Sequence, residues 1–243
     1  MNALETNHYT EMWSNFGAQI PTPRAILSIS AHWYVGETAV TAQSNPPTIH
    51  DFGGFPQELF EVEYPAPGSP ELAHQVAELL RPLPVREDTT SWGLDHGTWS
   101  VLTHAYKEAN IPVLQLSLDG TKPFSHHSSV GAALAPLMED DVLIMASGNV
   151  VHNLGAISWG ADGKGAPWAE RFDAATTALL RSNPGGIEEL KAHPDYKMAV
   201  PTEDHFLPLV VFAGLAQVVG RPVRVLGGGC TLGSLSMTSY SVN

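Results

Sequence analysis

The chain has 243 residues and carries 12 basic against 25 acidic side chains, a formal net charge of −13 with the histidines neutral. Twelve cations cannot neutralise a run of phosphates, which argues against nucleic-acid or anionic-membrane binding. A folded chain of this size exposes roughly 10,500 Å² against roughly 38,000 Å² unfolded, enough burial for one large core, and the single cysteine, Cys230, allows neither an internal disulfide nor a Cys-rich zinc module.

No apolar stretch approaches the roughly 20 residues of a membrane helix. Glu5 stands where a signal peptide needs a positive segment ahead of an apolar one, so the expected location is the cytoplasm. In chain order, β-branched apolar runs alternate with helical patterns. Ala25–Ala31, Val113–Leu118, Val142–Ala146 and Val223–Leu226 read as strands, with a further strand expected over Ser234–Val242. Pro70–Leu80, Thr98–Glu108, Ser128–Leu137, Ala166–Arg181 and Asp204–Val219 read as helices, the last capped by Thr202 or Asp204. The alternation predicts an α/β fold: a single domain with a mostly parallel or mixed central sheet flanked by helices, and a metal site at one sheet edge. Two long loops, Ser44–Ser69 and Gly155–Pro167, stand out as segments that could cover a site.

Eleven histidines against five lysines set the functional question, because imidazole is the commonest metal ligand and the acid/base group nearest neutrality. His32 follows the first predicted strand, where open α/β sheets place ligands. His152 follows another strand in Ser147-Gly148-Asn149-Val150-Val151-His152, and His205 opens the last predicted helix. His96 and the pair His126-His127 lie in polar turns leading into helices. Histidines at element ends, no cysteine to share and nearby carboxylates suit Zn(II) or non-haem Fe(II). The H-E-x-x-H, G-x-S-x-G and P-loop signatures are all missing from the sequence.

Several longer runs carry a resemblance: Ser30-Ala31-His32-Trp33, Pro47-Thr48-Ile49-His50-Asp51-Phe52-Gly53-Gly54-Phe55-Pro56, Tyr64-Pro65-Ala66-Pro67-Gly68-Ser69-Pro70, Gly93-Leu94-Asp95-His96-Gly97-Thr98-Trp99, Ser147–Leu154 and His205-Phe206-Leu207-Pro208-Leu209. In this order they resemble the 4,5-DOPA extradiol dioxygenases of the class III, LigB-like ring-cleaving superfamily. The resemblance implies a mononuclear metal with His32 and His205 as ligands. His152 would be the catalytic acid/base that also approaches the metal, and His96 and His127 would contact substrate. Fe(II) is the ion expected for turnover and Zn(II) a plausible bound ion. The partners implied are a small-molecule catechol and O₂, with no nucleic acid and no membrane, on a monomer or small homo-oligomer. The family's His-Gly-Ser-Pro motif directly precedes a Met-Asn pair, which is Met1-Asn2 here, so residues 1–243 are expected to form one LigB-like domain lacking the first strand and that motif. The alternative is a zinc-binding or scaffold protein of the same fold without turnover; a metal-assisted hydrolase ranks behind both.

Overall fold

The computed structural model describes residues 2–242, so Met1, half of the Met-Asn pair named above, lies outside the described residues. Within that span the chain gathers into two compact units. One is built on the stretch up to Thr121 with Pro136–Ser147, the other on Lys122–Ala135 with the stretch from Gly148 onward. In chain order the elements are α1 (His8–Gln19), β1 (Ala25–Val35), β2 (Ala39–Thr41), α2 (Gln57–Phe60), α3 (Pro70–Leu79), β3 (Arg86–Asp88), α4 (His96–Ala105), β4 (Val113–Asp119), α5 (Phe124–Ala133), α6 (Pro136–Glu139), β5 (Val142–Ser147), α7 (Pro167–Ser182), α8 (Tyr196–Ala199), α9 (Leu207–Val219), β6 (Arg224–Gly227), β7 (Cys230–Thr231), β8 (Leu235–Ser236) and β9 (Ser239–Ser241). Among the described residues no helix is long and apolar enough to cross a membrane.

The first unit holds a five-stranded sheet in the order β3-β2-β4-β1-β5. β1 pairs in parallel with β4, from Ile26↔Val113 to Ile29↔Leu116, and with β5, from Ala25↔Val142 to Ser30↔Ser147. β2 runs parallel to β3 but meets β4 antiparallel at Val40↔Leu116, so the sheet is mixed. Every residue of β4 is buried, as are Ala25–Ala31 of β1, which is the signature of strands covered on both faces. The polar residues in those strands therefore need internal partners. Ser28 Oγ meets Thr98 Oγ1 at 2.8 Å. Ser117 Oγ accepts from Ala39 N–H at 2.7 Å and donates to the Glu37 carbonyl at 2.9 Å, reinforcing the short β2–β4 contact. One side of the sheet is filled by Ile26, Tyr64, Leu94, Trp99, Leu102 and Val113.

Helix starts follow their local chemistry. Asn7 and Thr10 form a capping box for α1, Ser69 caps α3 ahead of Pro70, and Asp95 caps α4 through Thr98 N–H. The helix expected over Ser128–Leu137 instead runs from Phe124 to Ala133, and a separate turn begins at Pro136, whose ring cannot continue an α-helical ladder.

In the second unit α9 is apolar on all sides and largely buried, and it ends at Gly220 with φ +67°. It starts at Leu207 rather than Asp204, with no side-chain cap. The reason is a long-range contact: the His205 carbonyl accepts from Asn149 N–H at 3.0 Å instead of joining the helical ladder. The strand expected over Ser234–Val242 divides into β8, paired with β7, and β9, paired with β6. The break coincides with Met237 N–H donating to the Gly229 carbonyl at 2.9 Å and Gly229 N–H donating to Thr238 Oγ1 at 3.1 Å.

Helices α5 and α9 approach at two glycines: a Cβ on Gly131 would lie 1.9 Å from the Val211 carbonyl oxygen, and one on Gly214 would lie 1.9 Å from that of Ser128. Backbone stands on the other side of each contact, so a methyl group cannot be absorbed by a rotamer change. Gly214→Ala is expected to destabilise the chain by about 1–3 kcal/mol, read as a lowered midpoint in urea with an unchanged slope.

Candidate functional site

In the first unit the site begins where β1 leaves its ladder with β4: pairing is interrupted between Ile29 and Tyr34, and His32 lies in that interruption. The loop carrying Asp51 is laid alongside the start of α4 by main-chain contacts. Thr48 bridges Leu94, Ile49 N–H donates to the Leu94 carbonyl at 2.8 Å, and Leu94 N–H donates to the Pro47 carbonyl at 2.8 Å. Trp99 Nε1–H donates to the Ile49 carbonyl at 3.0 Å from inside the core. The outcome is a direct bond from the first amide of α4, His96 N–H, to Asp51 Oδ1 at 2.9 Å.

Asp51 thereby meets two histidines. Its Oδ1 lies 2.9 Å from His96 Nδ1 and its Oδ2 lies 3.3 Å from His32 Nδ1, while the two imidazole centroids are 3.8 Å apart at 48°. Gly97 permits the approach, since a Cβ there would fall 2.5 Å from Ser30 Oγ and 2.9 Å from His32 Cδ2. Burial alone would raise the Asp51 carboxyl, but the close His96 side chain, the bond from the His96 amide and the positive potential of His96 and His32 hold it below the usual carboxylate range. Asp95, beneath them, is pushed upward by burial despite bonds from Gln115 and Ser30, and the Asp51 charge adds to that rise. Gln115 takes both roles with Asp95, accepting from its backbone N–H at 2.7 Å and donating to Oδ2 at 2.7 Å. Phe52 stands edge-on to His96 with centroids 5.2 Å apart, giving the group an apolar side.

His32, Asp51 and His96 each offer one ligand atom, all within 4.8 Å of one another. Two imidazoles and a carboxylate form a nitrogen and oxygen donor set of the kind Zn(II) and non-haem Fe(II) accept. The buried His96 Nδ1 atom, close to Asp51 but without an aligned hydrogen bond, is consistent with a site that takes a cation. The residues present therefore fit a metal.

In the second unit His152 and His205 stack face to face, centroids 3.5 Å apart and 7° from parallel. The backbone holds them there. His152 N–H donates to the Ala199 carbonyl at 2.9 Å, and Asn149 N–H to that of His205 at 3.0 Å. A Cβ on Gly148 would lie 2.3 Å from the His205 carbonyl oxygen, so the sharp turn ahead of His152 needs glycine. His127 is buried on α5, edge-on to His126 at 5.2 Å. Of the histidines singled out in the sequence, His32 and His96 thus meet in the first unit, and His152 and His205 in the second.

Residues 3–226 match the family described as the catalytic LigB subunit of aromatic ring-opening dioxygenase. The chain belongs to the LigB family. A relative from Escherichia coli (strain K12) named 4,5-DOPA dioxygenase extradiol is 44% identical over 247 residues, covering 100% of this chain and 90% of the relative. One of the same name from Beta vulgaris is 42% identical over 227 residues, covering 89% and 84%. Among solved structures, that of an uncharacterized Escherichia coli K12 protein superposes with a TM-score of 0.86 at 38% identity, covering 99% of this chain and 94% of that one. This LigB chain is thereby placed among dioxygenases. Asp51 is the residue that sequence reasoning passed over. It stood in the run His50-Asp51-Phe52, but only the path of the loop shows that its carboxylate reaches α4.

The segment carrying His152 is braced from the C-terminal side. Leu235 bridges His152, Ser236 N–H donates to the Val151 carbonyl at 2.9 Å, and Asn149 Nδ2–H donates to the Ser236 carbonyl at 2.7 Å. Asp173 on α7 anchors this brace by accepting from Ser236 Oγ at 2.5 Å and Thr238 Oγ1 at 2.9 Å. Burial raises the Asp173 carboxyl despite both bonds. A group with a raised folded pKa binds its proton more tightly folded than unfolded, so its contribution to stability falls as pH climbs from the unfolded pKa through the folded one. Asp173→Asn is expected to flatten that component, checked by denaturant midpoints between pH 4 and pH 7.

Proposed function

We propose that this chain is a metal-dependent extradiol dioxygenase that inserts O₂ into the ring of a catechol such as DOPA. The observation that carries the reading is the nitrogen and oxygen donor cluster His32–Asp51–His96 at the carboxyl end of β1 in a chain of the LigB family. Residues 1–243 are read as one LigB-like domain acting in the cytoplasm on small molecules, as a monomer or small homo-oligomer. Of that cluster His32 is read as a metal ligand, joined on the family resemblance by His205, with His152 close to the same ion. Fe(II) is the ion proposed for turnover and Zn(II) a competing occupant of imidazole ligands.

When bound, such an ion supplies Lewis acidity to the diol and, as Fe(II), the capacity to engage O₂. The remaining work falls to the chain. His152 is proposed as the acid/base that takes a catechol proton and returns one to the product, the task of an imidazole whose charge changes near neutrality. His96 and His127 are proposed to hold the substrate oxygens. The stack of His152 on His205 and the backbone bonds behind both rings limit ring rotation, favouring a fixed direction of proton transfer.

The test is O₂ uptake with L-DOPA after anaerobic Fe(II) loading, together with appearance of the yellow ring-cleaved product. His152→Ala is expected to lower the rate on the order of 10²- to 10⁴-fold, with the metal retained, whereas His205→Ala is expected to lose metal. Stoichiometric zinc with no O₂ uptake after iron reconstitution would establish the alternative, a metal-holding protein without turnover.

A further inference from the structure

His152 runs between two segments from elsewhere in the chain, and both are fastened to α7. On one side its own N–H donates to the Ala199 carbonyl at 2.9 Å, and Asn153 Nδ2–H donates to the Met198 carbonyl at 2.9 Å, so α8 flanks it. On the other side Ser236 N–H donates to the Val151 carbonyl at 2.9 Å and Leu235 bridges His152, so β8 flanks it. Arg171 of α7 grips the start of α8: its Nε donates to Asp195 Oδ2 and its Nη2 to Asp195 Oδ1, each at 2.9 Å. This two-pronged geometry keeps a guanidinium–carboxylate pair directional even where the arginine is exposed. Asp195 passes the hold on, because its carbonyl accepts from Ala199 N–H at 2.9 Å. Asp173 of α7 grips β8 and its continuation through the Ser236 and Thr238 hydroxyls.

Three successive residues of α7 divide this work. Arg171 and Asp173 project about 200° apart around the helix, so each reaches a different flank of His152. Phe172, between them, is fully buried, with its ring centroid 6.0 Å from that of Tyr196 and 5.9 Å from that of Phe206. That packing resists rotation of α7 about its own axis, which is the motion that would release both arms.

We propose that α7 is a two-armed clamp on the His152 segment, with Arg171 and Asp173 as positioning residues that set the rate of turnover. Its bearing on turnover rests on the acid/base role proposed for His152 above. Proton transfer depends on placement, and a shift of about 1 Å in a reacting group can cost on the order of 100-fold in rate. The arms act through backbone bonds on either side of His152, so their loss acts on kcat rather than on the affinity for substrate or metal.

The experiment combines amide hydrogen exchange, read by NMR on the metal-free full chain, with steady-state kinetics of the Fe(II)-loaded protein and zinc titration. Arg171→Ala is expected to speed exchange at His152 N–H, and Asp173→Ala at Ser236 N–H, each by roughly tenfold or more, while Leu116 of β4 and Leu215 of α9 keep their rates. Each substitution is expected to lower kcat by roughly tenfold with KM unchanged, and to leave zinc affinity as it was. Asp173→Asn, which keeps one acceptor oxygen, is expected to recover most of both losses. Unchanged exchange at His152 and Ser236 overturns the proposal. So does a rise spread evenly over all four amides, which is ordinary destabilisation, or a raised KM or weakened zinc binding at constant kcat. If exchange responds as expected while the unsubstituted chain takes up no O₂, the clamp stands and the dioxygenase reading fails.

Discussion

The burial of β1 on both faces is the constraint on which the first unit depends. A strand buried from Ala25 to Ala31 can carry serines only where partners are built for them. Ser28 finds Thr98 in the first turn of α4, and the same turn is capped by Asp95, which is gripped from β4 by Gln115. Satisfying the polar atoms of the strand therefore fixes the position of the helix start, and the helix start carries His96. That His96 lies 3.8 Å from His32 follows from polar accounting in the core and from the lack of a side chain at Gly97.

The same logic places opposite electrostatic demands on two neighbouring aspartates. Asp95 is buried, and that burial raises its carboxyl despite the donors around it. Asp51, partly exposed and surrounded by donors, is held in the charged form. One carboxylate serves the framework and the other serves the imidazoles. Removing either would leave a different defect: a lost cap and an unpaired Gln115 in one case, and two unrestrained rings in the other.

The second unit reaches a comparable result through its main chain. His152 and His205 come from segments distant in sequence, and backbone bonds through Asn149, Ala199 and Ser236 bring them into a parallel stack. Asp173 anchors the C-terminal brace without a cation nearby in the bonds it makes, using two hydroxyl donors instead.

Much of this was legible from residues alone. The apolar runs at Ala25–Ala31 and Val113–Leu118 specified the buried neighbours β1 and β4, because a doubly covered strand must be apolar at nearly every position, and Val142–Ala146 marked the half-buried edge strand β5. Asp95 ahead of α4 and Ser69 with Pro70 ahead of α3 carry their caps in the sequence, and the histidines announced metal chemistry through their type and place at element ends. The start of α9 was not legible, since the His205 carbonyl is claimed by an amide more than fifty residues away. Nor was Asp51, whose partners His32 and His96 are set by the path of a loop and by a bulge in β1. Local sequence determined which segments are strands and helices and which chemistry is available, because those depend on short-range sterics and burial period. Only the tertiary structure decided which imidazoles share a carboxylate, because long-range backbone bonds fix that pairing and leave no periodic trace in the chain.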